Sequence, residues 1–250
     1  MRHLRITFGL AVTVCALAVA AVPALATPVF KAYRVGPAYS VSEPGTTKGV
    51  ATSEQEFDFG GLVIKCPKAV TKGKVTWSSS KTFATEVTFQ ACSTIAHEGP
   101  GKELLLATKF KTPVDFVFHA NGFAESGTEF GESEVEISGG TAEMKISGVR
   151  HKCVLGWPAQ TIPVRAINHP EEEFSAVEYP GPNEFPRPFD KTQFPSHFQQ
   201  RLMMVSELRH LKWEVAEGCE NFEKTEGGVG FYKGSLEDQV VGGNLEIGSE

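Results

Sequence analysis

From residue 50 onward the chain repeats one pattern, in which apolar and polar residues alternate in short runs separated by glycine. In "VDFVFHA", Val114, Phe116 and Phe118 share a face. In "EVEIS", Val135 and Ile137 oppose Glu134, Glu136 and Ser138, and in "AEMKIS", Ala142, Met144 and Ile146 oppose Glu143, Lys145 and Ser147. A period of two puts successive side chains on opposite faces of a strand, and Phe, Val, Ile and Thr suit a half-buried sheet. The pattern predicts an all-β fold, an antiparallel sandwich or barrel, with at most one short helix. Gly139 and Gly140, between two of these runs, read as a hairpin turn. One segment fits two templates. In "RLMMVSELRHLKWEV", Met204, Leu208, Leu211 and Val215 follow helical spacing, while Leu211, Trp213 and Val215 follow strand spacing. The reading is a short helix over 201–209 and a strand over 210–217.

The N-terminus differs from all of this. Arg2 and Arg5 precede the uncharged run "ITFGLAVTVCALAVAAV", and Ala24 and Ala26 occupy the small-residue positions of a cleavage site. This is the layout of a secretory signal peptide, 1–26, and the apolar run is short for a retained anchor. The expected mature protein is secreted, extracellular or in the cell envelope, with no transmembrane anchor after cleavage. Its formal charge is −8, from 22 Lys and Arg (24 less Arg2 and Arg5) against 30 Asp and Glu. Neither nucleic acid nor an anionic membrane suits such a chain, because both need a basic surface.

With Cys15 removed in the leader, four cysteines remain: Cys66, Cys92, Cys153 and Cys219. An even number in an exported chain points to disulfides, with three pairings open. Zinc use is disfavoured by the absence of any close pair such as C-x-x-C. "GLVIKC" (61–66) and "GVRHKC" (148–153) share G-[L/V]-x-x-K-C, and each leads on to a cysteine closing a further strand, "TEVTFQAC" and "KWEVAEGC". That suggests two related halves, 50–147 and 148–250, behind a leading arm at 27–49 that has room for one strand. An internal duplication implies one bond per half, Cys66–Cys92 and Cys153–Cys219. The second half carries an insertion, 168–207, rich in Pro and Phe over 168–198. Proline removes ladder donors, so this stretch reads as a long loop. A signal peptide, a Gly-apolar strand ending in cysteine, and a later cysteine after a strand resemble exported β-rich proteins of unknown function from actinobacteria. That resemblance implies no activity.

Catalytic candidates are few. "EFDF" is similar to the E-x-D-x-x-E strand of jelly-roll β-glucanases, which would make Glu56 and Asp58 catalytic carboxylates. The third acid would fall at Gly61, or at Gly60 in the shorter spacing. Residues two apart on one strand are also ~6.6 Å apart at the backbone and do not straddle a glycosidic bond unaided. A hydrolase would need a partner acid from another strand, Glu134 or Glu136. The histidines His97, His119, His151, His169, His197 and His210 form no H-E-x-x-H or H-x-H, and no G-x-S-x-G occurs. "SSSK" (78–81) fits S-x-x-K only formally, in the place of a hairpin turn. "GGVG" (227–230) lies outside a strand-to-helix context, and "EEE" (171–173) reads as a solvated run. No metal site and no cofactor are expected, and the partners are left unknown. A ligand-binding barrel would draw on Trp77, Trp157 and the Pro/Phe loop. The sequence therefore favours a non-catalytic exported β-protein that acts by binding or as an envelope component, with a secreted carbohydrate hydrolase as the alternative.

Overall fold

The computed structural model describes residues 28–34, 45–76, 79–97, 103–120, 133–145, 152–165, 175–178, 201–219, 227–241 and 243–249. Every element among them is a strand. In chain order these are β1 (Pro28–Arg34), β2 (Gly45–Ala51), β3 (Gln55–Phe59), β4 (Leu62–Cys66), β5 (Lys68–Val75) and β6 (Ser79–Ser80). Next come β7 (Thr82–Gln90), β8 (Ser93–His97), β9 (Glu103–Phe110), β10 (Val114–His119), β11 (Ser133–Ile137) and β12 (Gly140–Lys145). The last are β13 (Lys152–Trp157), β14 (Gln160–Arg165), β15 (Ser175–Glu178), β16 (Leu202–Glu217), β17 (Gly228–Val240) and β18 (Gly243–Ser249).

The pairings reduce to a simple plan. β2 and β3 both pair with β17, and they pair in turn with β5 and β4. β5 and β4 then meet β7 and β8, and β7 and β8 meet β10 and β9. β10 and β9 meet β11 and β12, which meet β14 and β13. β16 pairs with β13 directly and with β14 through the short β15, and β16–β17 closes the ring. Each such pair of short strands is one long stave broken at its middle. The fold is thus a closed up-and-down barrel whose staves are β2–β3, β4–β5, β7–β8, β9–β10, β11–β12, β13–β14, β16 and β17. Eight staves give an interior that side chains alone can fill. Every one of these pairings is antiparallel except the two-residue β14–β15 contact, which is parallel.

The breaks line up in a waist around the barrel. They fall at Thr52–Glu54, Pro67, Ala91–Cys92, Lys111–Pro113, Ser138–Gly139, Pro158–Ala159 and a bulge at His210. Proline lacks a ladder donor, so three staves kink where one sits. Ala91 and His210 take left-handed backbone, φ 55° and 62°.

Inside lies a single core. Phe57 is ringed by Phe59, Phe89, Phe110, Trp157 and Tyr232, with centroids 4.8–6.4 Å away. β1 pairs with β18 and β6 in a small sheet, which adds Phe30, Ala32 and Leu245 to that core. Cys66 bonds Cys92 and Cys153 bonds Cys219. By chain entropy these cross-links, spanning 26 and 66 positions, stabilise the fold by about 3.5 and 4.4 kcal/mol. Cys66 ends β4, whereas Cys153 is the second residue of β13. The "GVRH" before Cys153 lies outside the described residues, as do residues 1–27 and most of the Pro/Phe segment.

Three local expectations are corrected. Residues 202–209 are strand, not helix: Leu202, Met204, Ser206 and Leu208 point inward, and the bulge then moves the next inward residue to Leu211. That single three-residue step imitates helical spacing. Gly139–Gly140 is no hairpin, because β11 and β12 continue one stave. A Cβ on Gly140 would come within 2.4 Å of the Trp157 ring, so the glycine serves close approach. Ser79–Ser80 of "SSSK" is a strand paired with β1 rather than a turn.

Candidate functional site

The staves β2–β3 and β13–β14 flank the β16–β17 ribbon on its two sides, and each changes its pairing at the waist. The change leaves backbone groups of the ribbon without a ladder partner, and buried or half-buried groups of this kind need one. Side chains help supply it on both sides, beside the Thr52 N–H that donates to the Ser235 carbonyl (3.0 Å). On the β17 side, Ser53 Oγ accepts the Ser235 N–H (2.9 Å), and Gln55 Nε2 donates to the Ser235 carbonyl (3.1 Å). Gln55 is fully buried, and its Oε1 accepts the Tyr232 hydroxyl at 2.6 Å. Burial pushes the Tyr232 phenol far up from its ordinary pKa.

On the β16 side the same service comes from Ser175 and Gln160. Ser175 Oγ accepts the Arg209 N–H (2.7 Å) and donates to the Arg209 carbonyl (3.2 Å). Gln160 Oε1 accepts the Lys212 N–H (2.9 Å), while its Nε2 donates to the Lys212 carbonyl (3.2 Å). Between these two clasps sits His210, held in left-handed backbone at the bulge. A non-glycine residue there is strained, and such strain persists only where its surroundings over-determine it. The extra residue also breaks the alternation, so Arg209 and His210 both face outward, and Lys212 follows after the buried Leu211. A concavity of about 1470 Å³ opens over this bulge. Its walls include Arg209, His210, Lys212, Gln160, Pro163 and Phe231, and Asp58 stands at one edge. Arg209 is ion-paired to Glu207 through Nη2.

The acids singled out in the sequence have structural partners. Glu56 lies 3.3 Å from Lys65, its cross-strand neighbour. Asp58 Oδ1 accepts the Gly61 N–H at 2.7 Å, closing the β3–β4 hairpin whose two turn residues, Gly60 and Gly61, both have positive φ. Glu134 and Glu136 are on β11, which pairs with β10 and β14 and not with β3. They meet His119 instead, at 3.6 and 2.8 Å. Trp157, expected to stack on a ligand, is 4% exposed in the core and donates its indole N–H to the Ser138 carbonyl (3.0 Å). Trp77, His151, His169, His197 and the "EEE" run lie outside the described residues. "GGVG" opens β17.

The sequence reading passed over one buried group. Asp238 is fully buried on β17 beside Thr71 and Thr85 of β5 and β7, and it accepts a hydrogen bond from the Thr71 hydroxyl. Gly49 lies across from it because a Cβ there would come within 2.6 Å of its carboxylate. Burial pushes this carboxyl up to about 6. An Asp inside "LEDQVV" followed two residues on by Val240 was the available signal, since strict alternation puts Leu236, Asp238 and Val240 on one face.

No protein-family model matches this chain, and no curated protein does. Among solved structures, an enduracididine biosynthesis enzyme, MppR, complexed with pyruvate, is matched at 9% identity over 81% of this chain and 90% of that one. The TM-score is 0.18, and a likeness of that size carries no argument about this protein.

Proposed function

We propose that this chain is an exported, non-catalytic β-barrel protein that binds a ligand carrying an acidic group, and that the concavity over the His210 bulge is the ligand's seat. The bulge carries the reading, because it turns Arg209, His210 and Lys212 outward within four positions and two side-chain clasps hold it there. Cationic and imidazole N–H donors fixed on strands suit a carboxylate or a phosphate. Export is supported by the leader-like N-terminus and by two disulfides, which persist in oxidising compartments. A binding role rather than hydrolysis is supported by Glu56 and Asp58, whose carboxylates are engaged by Lys65 and by the hairpin turn.

The test is equilibrium binding of three probes: oligogalacturonate, a neutral glucose oligosaccharide and inorganic phosphate. An acidic probe should bind and the neutral one should not. The double variant Arg209→Ala/Lys212→Ala should weaken the acidic probe at least ~10-fold, since each charge-assisted hydrogen bond is worth about 1.5–3 kcal/mol. Equal binding of neutral and acidic probes, or an unchanged affinity in the double variant, would remove the concavity as an anion seat.

A further inference from the structure

The outer face of β10 and β11 holds a second cluster, remote in chemistry from the concavity. Glu134 and Glu136 are two apart on β11, so both point outward, and His119 on β10 projects between them. His119 Nε2 is 2.8 Å from Glu136 Oε1, and its Nδ1 is 3.6 Å from Glu134 Oε1. One imidazole nitrogen and one oxygen of each carboxylate all lie within 4.8 Å of one another. Elsewhere on the outer surface the carboxylates meet lysine or arginine, as in Glu86–Lys72, Glu217–Lys152 and Glu237–Arg201. Here two of them share a histidine.

The platform beneath is rigid. Phe116, Phe118, Val135 and Ile137 are buried directly under the three side chains, and β10 and β11 are in backbone register. Serine clasps close both ends of that pairing. Ser133 Oγ donates to the His119 carbonyl (2.8 Å), and Ser138 Oγ accepts the Asp115 N–H (2.8 Å). Sites held on strands keep their geometry better than sites on loops.

We propose that His119, Glu134 and Glu136 form a zinc site with an open, solvent-facing position. The donor set favours zinc or a first-row neighbour over calcium and magnesium. Imidazole nitrogen suits zinc and its first-row neighbours, whereas calcium and magnesium take oxygen ligands. Zinc at about 2.0–2.2 Å from nitrogen and oxygen needs three protein atoms that converge. Side-chain rotations on the exposed face bring the two glutamates, each about half exposed, to that spacing without moving the strands. Zinc takes the lone pair of one His119 nitrogen and so competes with the His119–Glu136 hydrogen bond.

Isothermal titration of the tag-free, chelator-treated full chain with ZnCl2 tests this. One equivalent should bind, and an equal concentration of Ca2+ should not compete. His119→Ala should abolish the transition, and Glu134→Gln and Glu136→Gln should each weaken it at least ~10-fold. Glu217→Gln, an outward acid on another stave, should leave it unchanged. Thermal melts without metal should match wild type for the three glutamate variants, whose side chains are half exposed or more, and should show His119→Ala still folding cooperatively. No stoichiometric zinc uptake by the wild type, or uptake retained in His119→Ala, would overturn the assignment and leave the cluster as an ion pair.

Discussion

The two sides of the β16–β17 ribbon solve one problem in two ways. On both, a neighbouring stave breaks at the waist, and a Ser and a Gln side chain bond the ribbon backbone there, joined on the β17 side by the Thr52 N–H. On the β17 side the glutamine is interior: Gln55 is fully buried, and its amide is shared between Ser235 and the Tyr232 hydroxyl. On the β16 side the glutamine is at the surface, where Gln160 grips Lys212 next to a strained His210 under an open concavity. Placement, rather than residue type, makes one junction a seal and the other a candidate site.

Replacing the two glutamines in turn is the sharpest way to break this contrast. Gln55→Ala leaves the buried Tyr232 hydroxyl without its acceptor and opens a void, while the Ser235 carbonyl keeps only the Thr52 N–H. It should cost about 3 kcal/mol. Gln160→Ala lets water replace the lost bonds and should cost about 1 kcal/mol or less. Urea midpoints at constant m would show it, and equal losses would dissolve the distinction between seal and site.

Asp238 extends the contrast into the interior on the β17 side. Its folded pKa of about 6 lies above the unfolded value near 3.8, so folding favours the protonated acid. Below pH ~4 both states are protonated and nothing is lost. Between pH ~4 and ~6 stability should fall, and above that the barrel should be weaker by about 3 kcal/mol. Asp238→Asn should remove this component, gaining on wild type as pH rises. A constant difference between the two proteins across pH 4–7.5 would show that the carboxyl is not held neutral.

The smallest expected effect probes the open junction itself. His210→Gly should relieve the left-handed strain and raise stability by about 1 kcal/mol. A thermal melt reads the sign, and a loss would show that the His210 side chain contributes more than its backbone costs. Binding of the acidic probe should weaken in the same variant, which separates strain kept for function from strain merely tolerated.

Much of this barrel was legible in the chain. Phe116 and Phe118, Val135 and Ile137 alternate cleanly, and the structure buries all four. Pro67, Pro113 and Pro158 were visible too, but a proline in a strand pattern does not say whether the chain turns back or runs on past a kink. Gly139–Gly140 was ambiguous for the same reason, since glycine marks a turn and a tight crossing alike. The segment "RLMMVSELRHLKWEV" misled because one bulge shifts a period-two pattern into a step of three. His210 carried no signal at all, because a strained φ is imposed by neighbours. The acids were visible and their partner was not: Glu134 and Glu136 meet His119 because the consecutive strands β10 and β11 pair in a register that the alternation alone does not fix.

The sequence by itself determined the all-β class, the faces that go inward and an even set of cysteines after residue 26, because side-chain period and composition act locally. Only the tertiary structure decided how the staves close, which cysteines join, where Asp238 is stranded among threonines and why Arg209, His210 and Lys212 stand together. Those outcomes depend on contacts between segments far apart in the chain, and they follow from closing a sheet on itself and satisfying every backbone group at the waist where its staves break.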